Sequence, residues 1–128
     1  MASSHRSFVP DGIAPPLGNG YVHAVAAGGA IYASGQVGID PDGTIADGFA
    51  AQARRAFENL AAVLDAAGAE LADVVKVTVL LVDGDDLPAY RTVREAYLAH
   101  RPASTLMVVK ALALPELRFE IEAIAVPG

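Results

Sequence analysis

The sequence predicts an α+β fold in which one mixed β-sheet carries two helices on a single face. Three observations predict it. Strand-like and helix-like periods succeed one another in the order β-β-α-β-α-β-β, without strict alternation. One segment has a clear helical period. The last segment alternates apolar and acidic residues two by two.

Residues 1–20 are rich in Ser, Pro, Gly and Asp. "PDGIAPPLGNG" reads as loop, so this segment is expected to be a lead-in to a single domain spanning residues 1–128. Tyr21–Ala26 and Ala30–Gln36 are β-prone runs separated by Ala27, Gly28 and Gly29, the pattern of a hairpin. "DPDGT" is a turn, with Pro presetting φ and Gly accepting a positive φ.

From Asp47 the period lengthens. Phe49, Ala53, Ala56, Phe57, Leu60, Val63, Leu64 and Ala67 recur at helical spacing, and Gly68 stands where a helix-ending glycine belongs. Gln52, Arg54, Arg55, Glu58, Asn59 and Asp65 are expected to form the solvated side of that helix. Asp73–Asp83 is β-branched and mostly apolar, a buried central strand. A second helix is expected from Leu87 to His100, with Pro88 in its first turn and Pro102 beyond its end. Thr105–Leu112 and Leu117–Val126 complete the strands. Two helices on one face leave the other face of the sheet bare, and a neighbouring copy of the chain is the simplest cover.

Composition narrows the function. The chain has 128 residues, 53% of them apolar and many of those alanine, enough for one modest core. Its net charge of −6 repels a phosphate backbone, so nucleic acid is not an expected partner. With no cysteine there is no thiol nucleophile, disulfide or thiolate metal site. The N-terminus lacks the apolar stretch of a secretory signal, and no run approaches the roughly 20 apolar residues of a membrane span. The expected location is the cytoplasm, with no membrane partner.

Candidate chemistry is sparse. Glu120 and Glu122 share one face of the last strand with Ile124 and Val126. A half-buried carboxylate there can act as general acid or base; the alternatives are a solvated face or an ion pair. "ASGQ", Ala33–Gln36, reads on its own as a turn, and it lacks the surroundings of a nucleophile elbow. His5, His23 and His100 are scattered, which argues against a metal site; His23 reads first as a hydrogen-bonded structural histidine. In "HRPASTLMVVKAL", Ser104 and Thr105 cap an apolar run.

Several separated segments together resemble the reactive intermediate deaminase family, also called YjgF or Rid. They are "GYVHAV", "YASGQVGIDPDGTI", "AQARRAFENLAAVLDAAGAELADVVKVTVLLVD" and "FEIEAIAV", which span about Gly20 to Val126. The resemblance implies a chorismate-mutase-like fold and a homotrimeric barrel with ligand clefts between subunits. It implies hydrolysis of a reactive enamine or imine to a carbonyl compound and ammonia, without cofactor or metal. It places the water-positioning glutamate at Glu120, the cleft tyrosine at Tyr21, and the strand-end serine and glycine at Ser34 and Gly35. Deaminating members carry an arginine after "PA"; this chain has Ser104 there, followed by Thr105. Serine supplies no positive fork for a substrate carboxylate. Two expectations follow: a deaminase of altered substrate range, with Ser104 and Thr105 as polar contacts and Arg91 on the second helix as a substitute anion contact, or a non-catalytic small-molecule binder using the same cleft.

Overall fold

The computed structural model describes residues 4–128. Its strands are β1 (Arg6–Phe8), β2 (Ala24–Ala27), β3 (Ala30–Val37), β4 (Val74–Leu81), β5 (Ala103–Val108) and β6 (Phe119–Ala125). The helices are α1 (Phe49–Ala66) and α2 (Leu87–Glu95), with short 3-10 turns at Leu17–Asn19, Leu71–Asp73 and Gly84–Asp86. The strands form one mixed sheet in the order β1-β2-β3-β6-β4-β5. Only the β4–β5 pair is parallel.

Alternation divides the sheet into two faces. Phe119, Ile121, Ala123 and Ala125 of β6 and Val77, Val79 and Leu81 of β4 are buried beneath the helices. The helical stripe of α1 meets them, with Ala53, Ala56, Phe57, Leu60, Val63 and Leu64 fully buried, and Tyr90 and Val93 of α2 beside it. Phe119 is the hub: its ring meets Phe49 edge-on at 5.9 Å and lies 5.8 Å from Phe57 and 5.7 Å from Tyr90. Helix α1 ends as its pattern predicts, Gly68 taking φ +88° just past it.

Among the described residues nothing covers the opposite face. Tyr32 and Met107 are exposed there, alongside Lys76, Thr78, Leu80, Thr105, Glu120, Glu122 and Ile124.

Three expectations need correction. The lead-in is not all loop, since Arg6–Phe8 pairs with Ala24–Ala26 as an edge strand. Its side chains are largely exposed, so pairing rather than apolar pattern makes it a strand. Helix α2 stops at Glu95, short of His100. Turns follow: Leu98 N–H donates to Arg94 O, Arg101 N–H donates to Leu98 O, and Arg101 adopts φ +58° to return the chain to β5. Strand β5 accordingly starts earlier than expected and ends at Val108.

The third correction concerns Gln52 and Asn59, which are not solvated but only 3% exposed each. Helix α1 passes so close to Gly38, just beyond the end of β3, that a Cβ there would lie 2.5 Å from Gln52 Cα. Such contact buries loop backbone, and the two amides satisfy it. Gln52 accepts from Arg118 N–H and donates to Glu116 O. Asn59 Nδ2 donates to Val37 O at 3.0 Å and to Ile39 O at 2.9 Å. Asn59→Ala leaves two carbonyls short of a donor. It is expected to cost about 1–3 kcal/mol in urea unfolding; a change under about 0.5 kcal/mol would show that water replaces the amide.

Candidate functional site

Strand β3 does not run evenly beside β6. Ala33 faces Ala123 and Gln36 faces Ile121, so three steps on β3 match two on β6. The extra residue makes a bulge at Ser34–Gly35. "ASGQ" is therefore a bulge inside a strand, not the turn its composition suggests. The bulge resets the phase, so Ala33 and Gln36 both face the core.

Three groups hold it in place. Ser34 Oγ donates to Val22 O at 2.7 Å. His23 is buried, as a structural histidine should be. Its Nε2 meets Ala14 O at 2.9 Å and its Nδ1 meets Gln36 Nε2 at 3.1 Å. A ring with its proton on Nε2 matches both partners, donating to the carbonyl on one side and accepting from the amide on the other. Gln36 also donates to Ser34 O. The lead-in loop, β3 and the bulge are thereby tied together.

The bulge makes room for Glu120. A Cβ on Gly35 would sit on the Glu120 carboxylate, 2.8 Å from its Cδ and 3.1 Å from its Cγ. Only glycine lets the carboxylate lie across that backbone. Glu120 is half-buried, and burial first, then the charge of Glu122, pushes its pKa above the usual glutamate value. Around it opens a cleft of about 430 Å³ lined by Leu17, Tyr21, Ser34, Gly35, Val37, Ala113, Glu120 and Glu122. Tyr21 Oη accepts from Leu17 N–H at 3.0 Å. The cleft thus holds a carboxylate with raised proton affinity, a phenol and a hydroxyl whose own proton is already given to the backbone. That set can orient a water and move its proton.

The remaining candidates lie elsewhere in the single chain. Ser104 pairs with Val77, so it belongs to the helix side of the sheet, opposite Glu120. It lines a hollow with Tyr90, Arg94 and Arg101. Thr105 pairs with Thr78 on the open face, two strands from Glu120, and accepts from Lys76 Nζ at 2.9 Å. Arg91 is exposed on α2, which packs on the helix side, and it does not line the Glu120 cleft. One chain therefore unites Tyr21, Ser34, Gly35 and Glu120, and leaves Ser104, Thr105 and Arg91 apart from them. Gln36, Arg94 and Arg101 were not among the expected site residues. Arg94 stands one helical turn from Tyr90, and that spacing is the signal that could have found it.

Among the described residues no three His, Asp or Glu side chains cluster as metal ligands would. No helix among them is long and apolar enough to cross a membrane.

Comparison with known proteins adds an independent line. Residues 13–127 match the family model described as Endoribonuclease L-PSP. The 2-iminobutanoate/2-iminopropanoate deaminase of Rattus norvegicus is 38% identical, the match covering 100% of this chain and 95% of the relative. The enzyme of the same name from Salmonella typhimurium is 37% identical over 88% of this chain and 91% of its own. Among solved structures, RidA from the Antarctic bacterium Psychrobacter sp. PAMC 21119 superposes with a TM-score of 0.90 at 37% identity, covering 94% of this chain and 98% of that one.

Proposed function

Because the chain belongs to the Endoribonuclease L-PSP family, that of the YjgF or Rid proteins, we propose that it is an imine deaminase, converting a reactive 2-imino acid or its enamine to a 2-keto acid and ammonia. The observation that carries this is the Glu120 carboxylate, half-buried across Gly35 in the cleft. Water adds to the C=N carbon while Glu120 takes its proton. Glu120 returns that proton to the imine nitrogen, giving the carbinolamine; it then takes the carbinolamine hydroxyl proton and passes it to the nitrogen as the C–N bond breaks, so ammonia leaves as the carbonyl forms. Glu120 ends as it began, so no cofactor is consumed.

The proposal extends to a homotrimer in the cytoplasm. The bare sheet face, with Tyr32, Leu80, Met107 and Ile124, is the surface that association would cover. Ser104 and the Glu120 cleft lie on opposite faces of one chain, so only a second copy can bring them to one substrate. A net charge of −6 gives RNA no footing, and ribonuclease activity is not part of the proposal.

The test generates 2-iminobutanoate in situ with an amino-acid oxidase and traps it with semicarbazide. The protein is expected to suppress semicarbazone formation, whereas unchanged formation would exclude deamination of simple 2-imino acids. Glu120 must be ionised to accept the proton, so activity falls as pH drops through its raised pKa. The acid limb is therefore expected above the ordinary glutamate range. Glu122→Gln removes the second cause of the shift and should move that limb to lower pH, burial still holding it up; a wild-type limb at or below the ordinary glutamate range would take Glu120 out of the base role.

A further inference from the structure

The hollow beside Ser104 has no part in the chemistry above. It measures about 290 Å³ and lies between α2, the turns after it and β5. Arg94 and Arg101 are among the residues that line it. Arg94 lies over the Tyr90 ring at 5.5 Å, and its one ion pair among the described residues, with Glu95, is long at 3.9 Å and open to solvent on the Glu95 side. A pair of that kind holds its charge loosely. The Arg101 side chain makes no hydrogen bond or ion pair among the described residues, and neither does the Ser104 hydroxyl. Tyr90 is only 1% exposed, and among the described residues its hydroxyl has no well-formed hydrogen bond, with the Arg94 charge acting on it from nearby. In a chain of net charge −6, two cations with so little to neutralise them are out of place.

The backbone beneath Arg101 is also unusual. Its φ of +58° is a left-handed conformation that a branched or long side chain adopts at a cost of about 1–2 kcal/mol. Pro102 follows at once and fixes the next φ. The arginine is thus held at the rim of the hollow by a rigid, strained corner.

We infer that Arg101, with Arg94 behind it, anchors the carboxylate end of the substrate beside Ser104. The inference rests on the deaminase proposal for the substrate, but the anion site stands on its own geometry. A guanidinium presents parallel N–H donors that match the two oxygens of a carboxylate, and the Ser104 hydroxyl adds a third donor. Glu95, the acidic residue in the lining, screens Arg94 and leaves Arg101 as the main contact. Arg91, exposed and outside this lining, is relieved of the anchoring role. Since the hollow and Glu120 occupy opposite faces of a chain, the hollow of one copy serves the Glu120 of another.

The test is titration calorimetry with two probes of one skeleton, 2-oxobutanoate and its uncharged amide, 2-oxobutanamide. Wild-type protein is expected to prefer the carboxylate by about tenfold or more. Arg101→Asn, which removes the charge but tolerates the left-handed backbone, should abolish that preference. Arg94→Gln should reduce it by a smaller factor, and Arg91→Ala should leave it intact. The inference is overturned if wild type shows no preference, if Arg101→Asn retains it, or if Arg91→Ala is the variant that loses it. A wild type inactive on imines that still shows an Arg101-dependent preference would end the deaminase proposal and uphold the anion site. In an active protein, mixing Glu120→Gln with Arg101→Asn chains should restore activity that each lacks alone, and no restoration would overturn the pairing of one copy's hollow with the Glu120 of another.

Discussion

Glu120→Gln is expected to lower kcat for imine hydrolysis by about 10²–10⁴-fold, with substrate affinity little changed. Glutamine keeps the shape over Gly35 but cannot take a proton from water. Stability should move the other way. The folded-state pKa of Glu120 lies above its unfolded value, so folding favours the protonated form. Its favourable contribution is present at low pH and is lost as pH rises through the folded pKa. The amide is neutral throughout. At neutral pH the variant should therefore melt at the same temperature as wild type or higher. Loss of activity with a preserved or raised Tm identifies a catalytic carboxylate. Retained kcat would remove Glu120 from the reaction.

Phe119→Ala is expected to destabilise the protein by about 3–5 kcal/mol, measured as a shift in the urea midpoint at constant slope. Phe119 is fully buried and touches an aromatic ring from α1 twice and from α2 once. Alanine leaves a cavity where two helices meet the sheet, and the surrounding rings belong to rigid elements that cannot collapse inward. The expected loss is a large part of the 5–15 kcal/mol typical of a domain. Phe119→Leu fills most of the space and should cost markedly less. Equal costs for the two substitutions would mean that volume is not what Phe119 supplies.

Much of this architecture is legible in the sequence where one period governs a whole segment. The buried apolar residues of α1 are those its spacing picks out, and the alternation of β6 places Glu120 and Glu122 on the open face as read. Periodicity fails where a polar group serves backbone instead of water. Gln52 and Asn59 look like surface residues because their carbonyl and amide partners, at Glu116, Arg118, Val37 and Ile39, lie far along the chain. The bulge at Ser34–Gly35 is hidden for a related reason, since a bulge is a property of two strands and only one of them is in view. The division of the candidate site between two faces of the sheet is likewise invisible. It depends on the parallel register of β4 with β5, where Ser104 meets Val77 and Thr105 meets Thr78. No pattern within "PAST" records that pairing.

The place of β6 in the sheet has a consequence for how the molecule is made. It is the last strand in sequence, yet it lies between β3 and β4, the central position. Until residues 119–125 are available, β3 and β4 have no common partner, and each presents an unpaired edge. Their contacts with β6 span long stretches of chain, which slows closure of the sheet. During synthesis the N-terminal hairpin and α1 therefore wait for β6. When it docks it completes the core and delivers Glu120 to the bulge in one step. A partly made chain therefore has neither a finished fold nor a carboxylate in place, and the reactive cleft and the stable protein come into being together.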